Sequence, residues 1–162
     1  MGARQEAGRG VTDGTRFGHV NIIADDWRAL ADFYSRVLGC VFVPPERDYS
    51  GPDLEALTGV PGATLRGVHL RLPGHGETGP TLEIYGFGAN EAGSPPTINR
   101  RGLRHLAFAV DDVGVARASV LEAGGGAVGE VVTLQTSDGR RVRLCYVTDP
   151  EGNIVELQAW SG

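Results

Sequence analysis

The stretch Gly18-His19-Val20-Asn21-Ile22-Ile23-Ala24-Asp25-Asp26 returns later in the chain as Arg104-His105-Leu106-Ala107-Phe108-Ala109-Val110-Asp111-Asp112. In each copy a histidine opens an apolar run that ends on paired aspartates. The spacing is the same for both features, 86 residues from 19 to 105 and from 25 to 111. A second doublet closes each half: Thr81-Leu82-Glu83-Ile84-Tyr85 and Ile154-Val155-Glu156-Leu157-Gln158, 73 residues apart from 83 to 156. Recurrence at matching places is the sign of a duplicated structural unit.

Working outward, the alternation from Phe17 to Ile23 reads as a strand. It places Phe17, His19, Asn21 and Ile23 on one face and Val20 and Ile22 on the other. Asp25 or Asp26 supplies the N-cap of a helix starting near Trp27, whose apolar stripe is Leu30, Phe33, Tyr34, Val37 and Leu38. Gly39 is placed to end it in the left-handed conformation. Cys40 to Val43 is the next strand, stopped by Pro44-Pro45. Strands resume at Leu65 to Leu72 and Thr81 to Tyr85. The second half repeats the order: a strand from Leu103 to Val110, a helix capped by Asp112 and ended by Gly124-Gly125-Gly126, then strands at Gly129 to Leu134, Arg141 to Val147 and Ile154 to Gln158. Asp149-Pro150-Glu151-Gly152-Asn153 forms the last turn.

Each half is therefore β-α-β-β-β. The expected organisation is a flexible tail over residues 1–15, a first module over 16–88, a linker over 89–102 and a second module over 103–162. The fall in offset from 86 to 73 leaves 13 extra residues between helix and last strand of the first module. The Pro- and Gly-punctuated stretch from Glu46 to Thr64, with one helical turn at Asp53 to Leu57, is the expected place for them and a candidate substrate lid.

With 162 residues, 41% hydrophobic and 22% charged, the composition suits one soluble globular domain. A net charge of −5 argues against nucleic acid or an anionic membrane as the main partner. No apolar run reaches the roughly 20 residues of a membrane span, and the N-terminus lacks a signal peptide's apolar core, so a cytoplasmic location is expected. Cys40 and Cys145 form no CxxC pair; a disulfide between them stays open, with reduced, part-buried thiols the expectation.

Alternation sets His19, His105, Glu83 and Glu156 out of phase with the aliphatics Val20, Leu106, Leu82, Ile84, Val155 and Leu157. The aliphatics would pack against the helices, leaving the two His and two Glu on the opposite faces. If the halves join by pseudo-twofold symmetry, four ligands for one divalent metal can converge there. A single strand histidine or glutamate has an ordinary structural role as its first explanation. The repetition is what favours a metal. Asn21, Arg71, Tyr85, Arg143 and Gln158 are candidates for substrate contact on the same face, with hydrogen-bonding or salt-bridge roles the alternative. His69 and His75 have no repeat partners.

These features resemble the vicinal oxygen chelate superfamily, which includes glyoxalase I, methylmalonyl-CoA epimerase, extradiol dioxygenases and the fosfomycin and bleomycin resistance proteins. The resemblance spans Phe17 to Trp160. It rests on the paired modules, on the histidine opening each, and on Asp149-Pro150-Glu151-Gly152-Asn153-Ile154-Val155-Glu156. It implies an α+β fold in which two β-α-β-β-β modules pair into a curved eight-stranded sheet around a metal cavity.

The ligand set His19, Glu83, His105 and Glu156 resembles that of glyoxalase I, and the ion it implies is Ni, Co, Zn, Mn or Fe. The implied activity is that of a lyase or isomerase working by proton abstraction and enediolate stabilisation. Glu156 would be the principal base, with Glu83 a ligand that returns the proton. The glutathione-binding arginines of glyoxalase I have no clear counterpart. Acyl-CoA epimerisation, Fe(II) dioxygenation of catechols and non-catalytic drug or metabolite binding are the alternatives. A small-molecule substrate and a homodimer are expected, with the site within one chain or across a dimer interface.

Overall fold

The computed structural model describes residues 14–162; the tail expected at the N-terminus lies outside them up to residue 13. Three helices and eight strands follow in the order β1 (His19–Ile23), α1 (Trp27–Leu38), β2 (Val41–Ser50), α2 (Pro52–Thr58), β3 (Thr64–Arg71), β4 (Thr81–Phe87), β5 (His105–Ala109), α3 (Val113–Glu122), β6 (Gly126–Gln135), β7 (Arg141–Thr148) and β8 (Ile154–Ser161). The strands fall into two four-stranded sheets of identical topology, β1-β4-β3-β2 and β5-β8-β7-β6. In each, the first strand runs parallel to the last, and the remaining pairs are antiparallel. This is the α+β architecture of paired modules that the repeat implies. No helix among the described residues is long and apolar enough to cross a membrane.

The local signals act as their chemistry requires. Asp26 caps α1 by accepting from Ala29 N at 3.0 Å, and Asp112 caps α3 by accepting from Val115 N at 3.0 Å. Gly39 closes α1 at φ 70°, where a side chain would be strained. Leu82, Ile84, Val155 and Leu157 are buried on the helix side of their strands, with Val20 and Leu106 packed partly buried beside them. One apolar core runs through both modules, because α1 and α3 meet between them and the Tyr34 ring of α1 lies 6.4 Å from Phe108 of β5.

Two expectations change. β2 does not stop at Pro44-Pro45 but runs through them to Ser50. The prolines fall at a register shift between Val43 and Arg47 on an edge strand, where no ladder N–H is needed. The extra residues of the first module are also divided: 13 residues link β2 to β3 against five linking β6 to β7, and nine link β3 to β4 against five linking β7 to β8. The stretch after Glu46 is thus the end of β2 and the helix α2, packed through Leu54, instead of an irregular lid.

The D-P-E-G-N turn joins the modules. Asp149 is 1% exposed, and its carboxylate accepts from Glu151 N, Asn153 N, Asn153 Nδ2 and, across the module boundary, Tyr34 Oη at 2.9 Å. Glu151 reaches back to the start of α1 and accepts from Asp25 N and Asp26 N at 2.8 and 2.7 Å. Burial pushes the Tyr34 phenol well above its usual range, and Asp149 adds to the shift.

Both cysteines are free and buried. Burial pushes the Cys40 thiol up to about 12 and raises Cys145 as well. With little thiolate at pH 8, neither residue should react promptly with a disulfide reagent in the native protein. Both should react once the chain is unfolded; fast labelling of the folded protein would contradict this packing.

Candidate metal centre

The face of each sheet turned away from the helices carries the repeated histidine and glutamate. In the first module His19 Nε2 lies 3.2 Å from Glu83 Oε2; in the second His105 Nε2 lies 3.4 Å from Glu156 Oε2. β1 pairs with β4 and β5 with β8 in parallel, which sets the two side chains of each pair on neighbouring strands. The glutamates are largely buried at 13% exposure, whereas His19 and His105 are 50% and 33% exposed.

β-Pairing also exposes two partners that lie outside the repeat. His69 stands opposite Glu83, and Tyr146 opposite Glu156, at equivalent positions of the two modules. His69 Nε2 is 2.9 Å from Glu83 Oε1, and Nδ1 is 2.9 Å from Thr81 Oγ1. Tyr85 Oη lies 3.1 Å from the same Nε2. A carboxylate only accepts, so the neutral ring carries its proton on Nε2 and accepts a hydrogen bond from the Thr81 hydroxyl at Nδ1. Burial holds His69 below its usual range; Glu83 opposes this, while Arg47 and His19 add to it. Tyr85 and Tyr146 are both raised, first by burial and then by the adjacent glutamate, Tyr85 to about 12. Both phenols therefore keep their protons as donors.

Gly67 makes room for this arrangement. A Cβ there would come within 2.0 Å of Tyr85 Cδ1 and 2.1 Å of Ile84 O, so only glycine lets the Tyr85 ring lie across β3. Asn21 Nδ2 adds a longer contact to Glu83 Oε2 at 3.4 Å. Glu83 thus faces several donors, while Glu156 has His105 and Tyr146.

The other expected substrate contacts divide between faces. Asn21, Arg71 and Tyr85 share the face of Glu83, and Gln158 that of Glu156, where it accepts from Trp160 Nε1 at 2.7 Å. Arg143 does not. It shares the face of Cys145 and Val147, which pack into the core, and its charge acts on Asp112 at the start of α3. Since Tyr146 opposes Glu156, the odd-numbered residues of β7 must point to the helix side.

Within one chain the two pairs do not meet. Among the described residues no ion pair joins the His19–Glu83 group to His105–Glu156, and no group of three or more His, Cys, Asp or Glu is arranged to hold a metal. Each pair nonetheless fits half of a metal's needs. Neighbouring ligands at right angles on an ion with bonds of about 2.0–2.2 Å stand about 3 Å apart, close to both N···O separations. His105 Nδ1 is buried with no hydrogen-bond partner among the described residues. The edge strands β1 and β5 border a shared cleft of about 310 Å³ lined by Asn21, Ile23, Arg104 and His105.

The family model for the Glyoxalase/Bleomycin resistance protein/Dioxygenase superfamily matches residues 16–157. No curated protein matches the chain. Among solved structures, a glyoxalase family protein from Bacillus cereus is similar at 19% identity and a TM-score of 0.71, covering 91% of this chain and 94% of its own. A glyoxalase family protein from Enterococcus faecalis is 23% identical, with a TM-score of 0.55 and coverage of 90% and 98%. A glyoxylase/bleomycin resistance protein/dioxygenase domain from Frankia sp. EAN1pec is 16% identical, with a TM-score of 0.57 and coverage of 91% and 98%. At these identities the solved structures speak for the fold alone, and the match of the family model over nearly the whole chain supplies the rest: the protein belongs to the Glyoxalase/Bleomycin resistance protein/Dioxygenase superfamily.

Proposed function

We propose that this chain is one protomer of a homodimeric, divalent-metal-dependent lyase or isomerase of glyoxalase I type. Its substrate would be a small molecule with oxygens on adjacent carbons. The observation that carries the reading is the repeated pair, His19 with Glu83 and His105 with Glu156, on equivalent strands at 3.2 and 3.4 Å. These four residues would hold the ion, and Ni, Co, Zn, Mn or Fe all suit such nitrogen and oxygen donors. A bound divalent ion supplies Lewis acidity that stabilises an enediolate.

The chain's own residues divide the remaining work. Glu156, with fewer donors around it than Glu83, takes the proton from the hydroxyl-bearing carbon next to the substrate carbonyl. Glu83, contacted by His19 and His69, serves mainly as a ligand; returning a proton would require it to leave both imidazoles. Asn21, Arg71, Tyr85 and Gln158 flank the carboxylates as substrate contacts, and Arg143 has no part. The second copy enters because the pairs are separate within one chain. A twofold-related protomer would set the first pair of one chain against the second pair of the other, covering the exposed Val132, Leu134 and Trp160 of the second sheet.

The test is reconstitution with each metal, followed by assay of α-hydroxycarbonyl thiol adducts. Isomerisation with at least one metal is expected. Turnover of acyl-CoA esters instead would redirect the reading to an epimerase, and oxygen uptake with catechols to a dioxygenase. Stoichiometric binding without turnover would make the protein a sequestering one.

A further inference from the structure

His69 is absent from the repeat, yet its Nε2 lies nearer Glu83 than that of His19 does, 2.9 against 3.2 Å. The two imidazoles meet opposite oxygens of the carboxylate, Oε1 for His69 and Oε2 for His19, and their rings stand edge to face at 5.7 Å. The far nitrogen of His69 is held by Thr81 Oγ1 at 2.9 Å, and the ring packs edge-on against Tyr85. The second module has no equivalent. Tyr146 occupies the position opposite Glu156 and offers a single O–H from a ring that packs on His105 at 5.2 Å.

We propose that His69 is a positioning residue of the metal centre: held by Thr81, it fixes one Glu83 oxygen so that the other is presented beside His19. The inference rests on the metal-centre reading above. A glutamate side chain left to itself samples several rotamers, and ordering it on binding a metal costs affinity. A donor locked on both sides removes that freedom beforehand, and outer partners of this kind typically contribute about 10- to 100-fold in metal affinity. The asymmetry divides two otherwise repeated carboxylates by role. Glu83 is anchored as a permanent ligand, and Glu156, lacking a locked imidazole, keeps the freedom a proton carrier needs.

The experiment compares Co(II) affinity, the visible spectrum of the bound Co(II), and Tm in the full chain. The variants are His69→Leu, His69→Gln and Thr81→Val, with His19→Ala as the loss-of-ligand control. His69→Leu should weaken Co(II) binding about 10- to 100-fold and alter the spectrum while Tm changes little. His69→Gln, whose amide N–H can replace Nε2–H, should recover most of the affinity. Thr81→Val should weaken binding by a smaller factor. Unchanged affinity and spectrum in His69→Leu would overturn the inference while leaving the metal centre standing. His69→Gln falling as far as His19→Ala would overturn it too, by making His69 a ligand itself. Failure of the wild-type protein to take up Co(II) would overturn the metal-centre reading and this inference together.

Discussion

Glu156→Gln is expected to lower kcat by about 10²- to 10⁴-fold, the usual contribution of a positioned general base. The amide keeps the shape of the carboxylate and a carbonyl oxygen that can still face a metal, but it cannot accept and hold a proton. Metal affinity should therefore fall much less than turnover. Glu83→Gln should show the reverse weighting, because the oxygens of Glu83 are already engaged by His19 and His69, and its amide would place a donor against a donor. Measuring kcat and metal affinity in parallel for both variants separates the roles. Equal loss of metal and turnover in Glu156→Gln would reduce that residue to a plain ligand.

The largest effect on stability is expected from Asp149→Ala. The carboxylate accepts four hydrogen bonds while 1% exposed, and its loss leaves the Tyr34 hydroxyl and the Asn153 amide without that partner. Each stranded buried polar group costs about 1–3 kcal/mol. A total near 3–4 kcal/mol would lower Tm by roughly 6–15 °C for a chain of this size. Tyr34→Phe, which removes a single partner, should cost about 1 kcal/mol.

The pH dependence has a definite sign. Burial raises Asp149 above its usual 3.8, despite hydrogen bonds that act the other way. As pH climbs from 3.8 through the raised value, the unfolded chain releases a proton that the folded protein still holds, so this group's contribution to stability declines. The gap between wild type and Asp149→Ala should narrow over that window. Chemical denaturation at several pH values measures it, and a gap that widens would contradict the burial of this carboxylate.

Much of the fold was legible because its signals are local. Asp26, Asp112 and Gly39 act as caps within one turn, and alternation around Leu82–Ile84 and Val155–Leu157 depends on neighbours two residues away. The repeat itself located His19, Glu83, His105 and Glu156, and the structure brings each histidine to its glutamate. What escaped depends on pairing at a distance. His69 precedes Glu83 by 14 residues and Tyr146 precedes Glu156 by 10, because the intervening turns differ in length, so no fixed offset connects them. Arg143 points to the helix side, away from the face its sequence position suggests, because the register of β7 against β8 decides its direction. β2 passed through its prolines because edge position and a register shift remove the need for their N–H groups. The role of Asp149 and Glu151 in tying the last turn to α1 required the packing of two modules, which a local pattern does not encode.

The most direct test of a shared His–Glu metal centre is the metal content of the purified protein by mass spectrometry, measured beside His105→Ala. The account predicts about one divalent ion per chain, lost in the variant because one imidazole of the set is gone. No bound metal in the wild-type protein, and none taken up on titration, would contradict it and leave all four residues with structural roles.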